Sequence, residues 1–367
     1  MTYVQPAPTP PVVSAPRPRV LVVGPRADAR GGIGSVQHAL ERHAEALADL
    51  DVVTTHRDGP PATRLRTMAA GTLSAAAHLV LRPPDLVHMH VSQRSSVLRK
   101  GLLGAVARAR RVPVVLHLHG SEFLDWFDGL PAPARAVVRA LVRPHRLVVL
   151  SESLRERYAA RLGVALRQVT ALPNPVEWPE GPAGERPPGG DVLAVFLGRF
   201  GARKGVYDVV ASCALLSPAA RHRLRLVAAG DGEVDGVRAA VAAAGVGDVV
   251  EVREWLDRAE RDALLRRVEV LVLPSSHEGL PMAVLEAMAF GVAPVVTPVG
   301  ALPEVVRDGE NGVLVPVGDP AALAAALEAL VADDDRRRAL GRRAREDAEP
   351  YAATHWADRL ARIWAAA

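Results

Sequence analysis

The sequence predicts an α/β protein with two doubly wound parallel sheets that face each other across a cleft. Short apolar runs, typical of strands buried on both faces, alternate with longer stretches whose apolar residues follow a helical spacing. A segment rich in Pro and Gly, Leu172–Gly190, separates two such series. With 367 residues and 49% hydrophobic content, the chain is long enough for two cores.

Five parts are predicted along the chain. Residues 1–18 are rich in Pro, Ala and Thr, lack the apolar run of a signal peptide, and are expected to be a disordered lead-in. Residues 19–174 form the first half and 191–349 the second, with a linker at 175–190. The amphipathic segment 350–367 is expected to be a final helix.

Apolar runs give the expected strands. Those of the first half are Arg19–Gly24, Asp51–Thr55, Leu86–Met89, Val114–His117 and Leu147–Ser151. Those of the second half are Val192–Leu197, Leu224–Ala229, Val249–Arg253, Val268–Leu273, Ala293–Thr297 and Gly312–Pro316. Helices are expected at Ser35–Leu50, Pro320–Leu330, Asp334–Glu349 and Tyr351–Trp364, among others. In such sheets ligands bind at the carboxyl ends of the strands, so the cleft is the expected site.

Composition excludes several classes of protein. A formal net charge of +4 is too small for a broad nucleic-acid surface, so no nucleic acid is expected as a partner. The single cysteine, Cys213, excludes an internal disulfide framework and indicates a reducing cytoplasm. No stretch of about eighteen apolar residues indicates a spanning helix.

The segment Ser275–Met288 predicts an anion site. It leaves a buried strand, turns through Gly279 and Leu280, and continues as an apolar helix with Pro281 expected at its first position. The backbone N–H groups of Gly279, Leu280 and Met282 should then point out in front of the helix, where a phosphate is favoured.

Two carboxylates eight positions apart, Glu278 and Glu286, flank this anion site. One could hold a sugar hydroxyl and the other a ribose. Glu286 is surrounded by apolar residues on all sides, which indicates a buried carboxylate that needs hydrogen-bond donors. The alternative is a glutamate that faces the surface.

A second loop, Gly198–Gly205, carries Arg199 and Lys204 between a strand and a helix. Two cations beside a helix start can bind a diphosphate without a metal. The alternative is a solvated loop.

Taken together, Gly198-Arg199…Lys204-Gly205 and Glu278-x7-Glu286 resemble the donor-site signature of retaining GT-B glycosyltransferases of family 4, of the type that assembles polysaccharides. Similarity extends to Gly230-Asp231-Gly232 and to Pro294–Pro316. The resemblance implies two Rossmann-like domains and transfer of a sugar from a UDP- or GDP-sugar to an acceptor, with retention of anomeric configuration. It also implies no metal, no cofactor besides the co-substrate, and a last helix that crosses back onto the first domain.

The resemblance also implies roles for particular residues. His119 and Glu278 would be the catalytic pair, with Glu278 holding the transferred sugar. Glu286 would bind the nucleotide ribose. The donor diphosphate would be bound by Gly32, Arg199, Lys204, Gly279 and Leu280.

The sequence also bears on two other kinds of site. A metal site could be assembled from His88, His90, His117, His119, Glu122 and Asp125. However, no helical His-x3-His or Cys pairing is present, so no metal is expected. A dinucleotide site is disfavoured because the first glycine loop lacks the Gly-x-Gly-x-x-Gly order. Glu254-Trp255-Leu256 stands where the family often has a glycine, which leaves the nucleotide base open.

A basic segment, Arg94–Arg111, has two open interpretations. It is an apolar stretch flanked by Arg and Lys, and no acidic residue occurs between Asp85 and Glu122. Such a patch could contact an anionic membrane at the inner face, where a lipid-linked saccharide could be the acceptor, or it could be a solvated helix face of a cytoplasmic protein.

Two rival functions also stay open. One is a GT-B nucleotide-sugar epimerase, for which Glu122 and Asp125 would be candidate acid/base groups. The other is a non-catalytic nucleotide-sugar binding subunit.

Overall fold

The computed structural model describes residues 17–181 and 190–367. It contains two six-stranded parallel sheets, each flanked by helices, which confirms the predicted fold class. Most of the lead-in and the middle of the linker, residues 1–16 and 182–189, lie outside the described residues.

The first sheet has the strand order β2-β1-β3-β4-β5-β6. Its strands are β1 Arg19–Pro25, β2 Asp49–His56, β3 Leu86–Val91, β4 Val114–Leu118, β5 Arg146–Val149 and β6 Val169–Ala171. The helices of this half are α1 Gly32–Ala44, α2 Pro61–Leu81, α3 Ser95–Ala109, α4 Phe123–Asp128, α5 Ala132–Val142 and α6 Glu152–Leu162.

The second sheet has the order β12-β11-β10-β7-β8-β9. Its strands are β7 Val192–Leu197, β8 Leu224–Ala229, β9 Val250–Arg253, β10 Val270–Leu273, β11 Ala293–Val296 and β12 Val313–Leu314. The helices are α7 Val206–Ala214, α8 Pro218–Arg223, α9 Val234–Ala243, α10 Arg258–Leu265, α11 Met282–Ala289, α12 Leu302–Val305, α13 Pro320–Ala332, α14 Asp334–Ala348 and α15 Ala353–Ala365.

Some predicted bounds were wrong. The helix expected at Ser35–Leu50 is α1, which begins three residues earlier and ends at Ala44, because β2 already starts at Asp49. Strand β6 was not predicted, since three residues are too few to show a strand pattern. It extends the first sheet by pairing parallel with β5.

Each sheet reverses its strand order at one point, between β1 and β3 in the first and between β7 and β10 in the second. Three of the loops that leave these strands at their carboxyl ends carry sequence motifs: the glycine loop after β1, the loop at 198–205 after β7 and the loop at 274–281 after β10. Topology therefore gathers the sequence motifs at the two places where doubly wound sheets bind ligands.

The last helix, α15, packs on the first sheet's side of the molecule. Trp356, Leu360 and Trp364 belong to a buried cluster that includes Val36 and Leu40 of α1. The backbone just before α15 also pairs with Val176, which follows the first half. Val176 N–H donates to Tyr351 O, and Ala353 N–H donates to Val176 O.

The basic segment Arg94–Arg111 forms α3, but not all of its cations face solvent. Lys100 is buried and its ammonium donates to the carbonyl of His90, so it is unavailable to a surface patch. Leu98 and Leu102 are 44% and 62% exposed, which leaves apolar side chains on the outer face of α3. Within the described part of the chain, no helix combines the length and hydropathy needed to cross a membrane.

Candidate functional site

A cavity of about 460 Å³ lies between the two sheets. Its lining comes from both halves, with the glycine loop and His119 on one side and the loops after β7 and β10 on the other. All eight residues singled out from the sequence line it: Gly32, His119, Arg199, Lys204, Glu278, Gly279, Leu280 and Glu286. The structure therefore brings the predicted residues together, while their roles stay predictions.

The loops after β7 and β10 are packed directly against each other. Gly205 adopts φ +76°, and a Cβ at this position would lie 2.2 Å from Pro274 O, so only glycine allows this approach. Arg203 Nη1 donates to His277 O at 3.0 Å, and Ser276 N–H donates to Arg203 O at 2.9 Å. These contacts fix the position of Lys204 relative to Glu278.

Lys204 and Glu278 form an ion pair between the loops after β7 and β10. Lys204 Nζ lies 2.5 Å from Glu278 Oε1, which also accepts from Ser275 Oγ at 2.8 Å. Ser275 and Glu278 are both buried. A buried carboxylate is stable when it is paired and hydrogen-bonded, and here one oxygen has both kinds of partner.

The start of α11 differs slightly from the prediction. Pro281 is the residue that caps the helix, and the first helical residue is Met282. Among the residues the structure describes, the N–H groups of Gly279 and Leu280 have no protein acceptor. Both residues line the cavity, which leaves a short run of N–H donors where an anion is favoured.

Glu286 is buried, as its apolar surroundings predicted, but its main donor is a residue that the sequence did not reveal. Arg261 Nη1 of α10 donates to Glu286 Oε1 at 2.8 Å. Burial raises the pKa of Glu286 above its ordinary value, and the Arg261 guanidinium opposes that shift. Because Glu286 also lines the cavity, its carboxylate is held in place by Arg261 and offered to a ligand.

The first half approaches these loops closely. A Cβ on Gly279 would lie 2.9 Å from Leu150 Cδ1, and one on Gly32 would lie 3.2 Å from Met282 Cγ. Asn174 Nδ2 donates to Leu280 O at 2.7 Å. The turn that carries the N–H groups of Gly279 and Leu280 is therefore enclosed by both halves.

Arg30 spans the cleft from the glycine loop. Its guanidinium lies 5.9 Å from the ring centre of Trp255 and 3.9 Å from Asp231 Oδ2, both in the second half. The backbone N–H of Arg30 donates to Asp58 Oδ2 at 2.7 Å. Trp255 thus lines the cavity with a cation over its ring.

Four histidines form a group beside the cavity, and one of them, His119, lines it. His88 and His90 of β3 pack against His117 and His119 at the end of β4, with ring centres 4.0–5.5 Å apart. Burial, helped by His88 and Lys100, lowers the pKa of His119 to about 3, and burial with Lys100 does the same for His88. These imidazoles are therefore neutral at pH 7.

Ring nitrogens of His88, His90 and His117 come within 4.8 Å of one another. Neutral imidazoles suit Zn²⁺. However, Trp364 Nε1–H already donates to His88 Nδ1 at 3.1 Å, and the Lys100 ammonium is held beside the group at the His90 carbonyl. Burial lowers the pKa of Lys100 to about 7, so even a single positive charge is disfavoured here, and a dication would be more so. The donor set fits hydrogen bonding better than a cation, and the absence of a catalytic metal stays a prediction.

Sequence reasoning missed Arg261 and Arg30. Arg261 lies 25 positions from Glu286, on a helix of the neighbouring α/β unit, so no spacing rule links the two. Arg30 belongs to a loop in which only the glycines form a recognisable pattern.

Comparisons with known proteins agree with this architecture. Residues 13–175 match the family model of the glycosyl transferase 4-like domain, and residues 180–347 match that of glycosyl transferases group 1. Over 272 residues the chain is 30% identical to a glycogen synthase of Mycobacterium tuberculosis, covering 72% of this chain and 64% of that protein. The match thus spans less than two thirds of the relative's length.

Two solved structures share the fold along almost the entire chain. A sucrose-phosphate synthase from Thermosynechococcus elongatus has a TM-score of 0.76 at 21% identity, over 95% of this chain and 99% of that one. Anabaena HepE, determined with UDP-glucose, has a TM-score of 0.72 at 16% identity, over 96% and 100%. With two adjoining family models matched in order and the GT-B fold in place, the chain belongs to the family 4 glycosyltransferases.

Proposed function

We propose that the protein transfers a sugar from a nucleotide-diphosphate sugar to an acceptor, with retention of anomeric configuration and without a metal. The observation that carries this proposal is the meeting of Lys204, Glu278 and the start of α11 around one cavity. A relative of the same fold was determined with UDP-glucose, which favours UDP as the nucleotide while leaving GDP as the alternative.

The diphosphate is the part of the donor that this cavity is best equipped to bind. Arg199 and Lys204 supply positive charge, and Gly279 and Leu280 supply backbone N–H donors. Gly32 lets the first half approach the same point. As the bond from the sugar to the β-phosphate oxygen breaks, negative charge grows on the leaving diphosphate, and these groups stabilise it.

In the proposed reaction the acceptor hydroxyl attacks the anomeric carbon from the face that the diphosphate leaves. The C–O bond to the β-phosphate breaks as the new glycosidic bond forms, and the acceptor proton passes to the departing phosphate oxygen. Glu278, released in part from Lys204 by the incoming phosphate, binds a hydroxyl of the transferred sugar. Glu286 accepts from the ribose hydroxyls while Arg261 holds it in place. His119 completes the sugar-binding side of the cavity.

The acceptor side is proposed to involve a membrane. Helices α2 and α3 pack side by side, and Met68, Thr72, Leu98 and Leu102 line an apolar groove between them. Arg99 lies at the groove, and Leu65 and Leu73 of α2 are exposed. An apolar face with an arginine beside it suits the inner surface of an anionic membrane, where a lipid-linked saccharide would be the acceptor in surface polysaccharide or glycolipid assembly.

A panel of UDP-, GDP- and ADP-sugars separates this function from its rivals. The transferase releases nucleoside diphosphate much faster with acceptor than without, and its rate is unchanged by EDTA. An epimerase changes the sugar of the donor without any acceptor, and a binding subunit gives neither product. Flotation with phosphatidylglycerol vesicles at low salt tests the membrane contact. Failure of the protein to float would remove that part of the proposal.

A further inference from the structure

We propose that Gln37 and His90 are positioning residues that hold the proton of His119 on Nε2, so that His119 presents the Nδ1 lone pair to the cavity. The consequence for sugar binding rests on the proposed function. The hydrogen-bond chain itself rests only on the geometry of α1, β1, β3 and the end of β4.

The chain begins on α1. Gln37 is fully buried, and its Nε2 donates to Glu41 Oε1 at 2.8 Å. An ionised carboxylate only accepts hydrogen bonds, so the amide nitrogen must face Glu41 and the amide oxygen must face the other way. Gln37 Oε1 is buried and has no partner among the residues that the structure describes.

The amide oxygen and the His90 ring both lie beside Gly24. A Cβ on Gly24 would lie 2.4 Å from Gln37 Oε1 and 2.8 Å from His90 Cδ2, the ring carbon bonded to Nε2. His90 Nε2 is likewise buried without a partner in the described residues. An unpaired acceptor and an unpaired ring nitrogen at one place satisfy each other if His90 Nε2 carries a proton, directly after a small rotation or through one water.

This proton fixes the rest of the chain. His90 is neutral because burial, together with His88, His119 and Lys100, lowers its pKa well below the ordinary value. A neutral ring with a proton on Nε2 has a lone pair on Nδ1. His90 Nδ1 lies 2.9 Å from His119 Nε2, so His119 must donate from Nε2. Its remaining nitrogen, Nδ1, is then an acceptor.

His119 is the one member of the four-histidine group that lines the cavity. With Nδ1 as an acceptor it can bind a hydroxyl of the ligand, whereas the opposite tautomer would offer an N–H better suited to a phosphate oxygen. Gln37 and His90 thereby set what His119 recognises without contacting the ligand themselves.

The test is NMR of histidine-labelled protein, in which ring ¹⁵N shifts report each tautomer. In the unmodified protein without donor, His119 is expected as the Nε2–H form, and finding Nδ1–H would overturn the proposal. In Gln37→Met, which removes the acceptor but keeps the length, His119 is expected to populate the Nδ1–H form. The donor kcat/KM should fall about tenfold, with the acceptor KM unchanged.

His88→Phe is the matched control. His88 is buried in the same group but accepts from Trp364 and has no hydrogen bond to His119, so its loss should leave the His119 tautomer unchanged. An unchanged His119 tautomer in Gln37→Met would also refute the chain. If a variant does not fold, the tautomer of the unmodified protein still decides. A protein that transfers no sugar but shows the expected tautomer would refute the proposed function and leave the chain intact.

Discussion

Lys204 Nζ donates to Glu278 Oε1 at 2.5 Å and so joins the loop after β7 to the loop after β10. The family resemblance assigns the two residues to different parts of a ligand, Lys204 to the diphosphate and Glu278 to the sugar. Under the proposed function, a bound diphosphate would share this ammonium, which has three N–H donors, with Glu278. Donor binding is then expected to shift the Glu278 carboxylate.

The first prediction concerns this cation and its neighbour Arg199. Lys204→Ala and Arg199→Ala should each lower turnover by about ten- to a hundredfold, because a charge-assisted hydrogen bond to phosphate contributes roughly 1.5–3 kcal/mol. Glu278 keeps its hydrogen bond from Ser275, so Lys204→Ala should still fold. Initial rates at saturating donor measure the effect. Arg343→Ala, an exposed residue of α14, is the control, and near-normal rates in both cavity variants would contradict the prediction.

The second prediction compares two glycines that share a positive φ. Gly300 (φ +60°) lies against the turn at Glu278 and Gly279, and a Cβ on Gly300 would lie 2.1 Å from Glu278 O. Gly318 (φ +68°) has nothing within 4 Å of its would-be Cβ. Gly318→Ala should therefore show only backbone strain of about 1–2 kcal/mol.

Gly300→Ala adds a backbone clash to that strain and must displace the Glu278 carbonyl. Its free energy of unfolding should fall further than that of Gly318→Ala, and its donor kcat/KM should fall while that of Gly318→Ala does not. Urea denaturation and donor kinetics on both variants make the comparison. Equal losses in the two variants would show that the clash at Glu278 is relieved without consequence.

Much of this site could be predicted from the sequence because doubly wound sheets bind their ligands at the carboxyl ends of their strands. The apolar runs located eleven of the twelve strands found in residues 17–181 and 190–367, and each motif follows one of them. The burial of Glu286 followed in the same way from its apolar neighbours. Local pattern carries this kind of information because it reflects the periodicity of one element at a time.

Pairings between elements were not legible. The contacts of Lys204 with Glu278 and of Arg261 with Glu286 depend on how loops and helices pack against each other. Their separation along the sequence does not identify them, because such contacts form at many different separations. The position of Pro281 shows the same limit within one helix. The sequence places a proline near the start of α11, but the backbone hydrogen bonds decide whether that proline caps the helix or is its first residue.

The third prediction concerns the last helix and its contact with the histidines. Trp364 Nε1–H donates to buried His88 Nδ1, whereas Trp356, also buried on α15, has an indole N–H without a partner in the described residues. Trp364→Phe leaves an unsatisfied buried acceptor, so it should lower the free energy of unfolding by about 1–3 kcal/mol more than Trp356→Phe.

Thermal or urea denaturation of the two variants measures this difference, and the shared change from indole to phenyl makes them a matched pair. Similar destabilisation of both would mean that the hydrogen bond to His88 contributes little.

The fourth prediction uses a carboxylate that links the two halves. Glu304 of α12 accepts from the N–H groups of Glu152 and Ser153 at 3.1 and 3.0 Å, at the start of α6 in the first half. Partial burial opposes its ionisation, but hydrogen bonds from Ser153, Ser151 and the backbone lower the pKa of Glu304 below its ordinary value of 4.5. A carboxylate at a helix start contributes about 0.3–1 kcal/mol.

Because the folded state has the lower pKa, this stabilisation is complete above pH 4.5 and is lost as the pH falls through the folded-state pKa. Glu304→Gln should therefore unfold at lower urea concentration than the unmodified protein at pH 7 and pH 6, and the gap should narrow below pH 4.5. Glu346→Gln on the exposed face of α14 serves as the control, with little change at any pH. If the difference in urea midpoint between Glu304→Gln and the unmodified protein stays constant down to pH 4, the charge of Glu304 does not stabilise the contact between the halves. The uncharged part of the side chain would then account for the stabilisation.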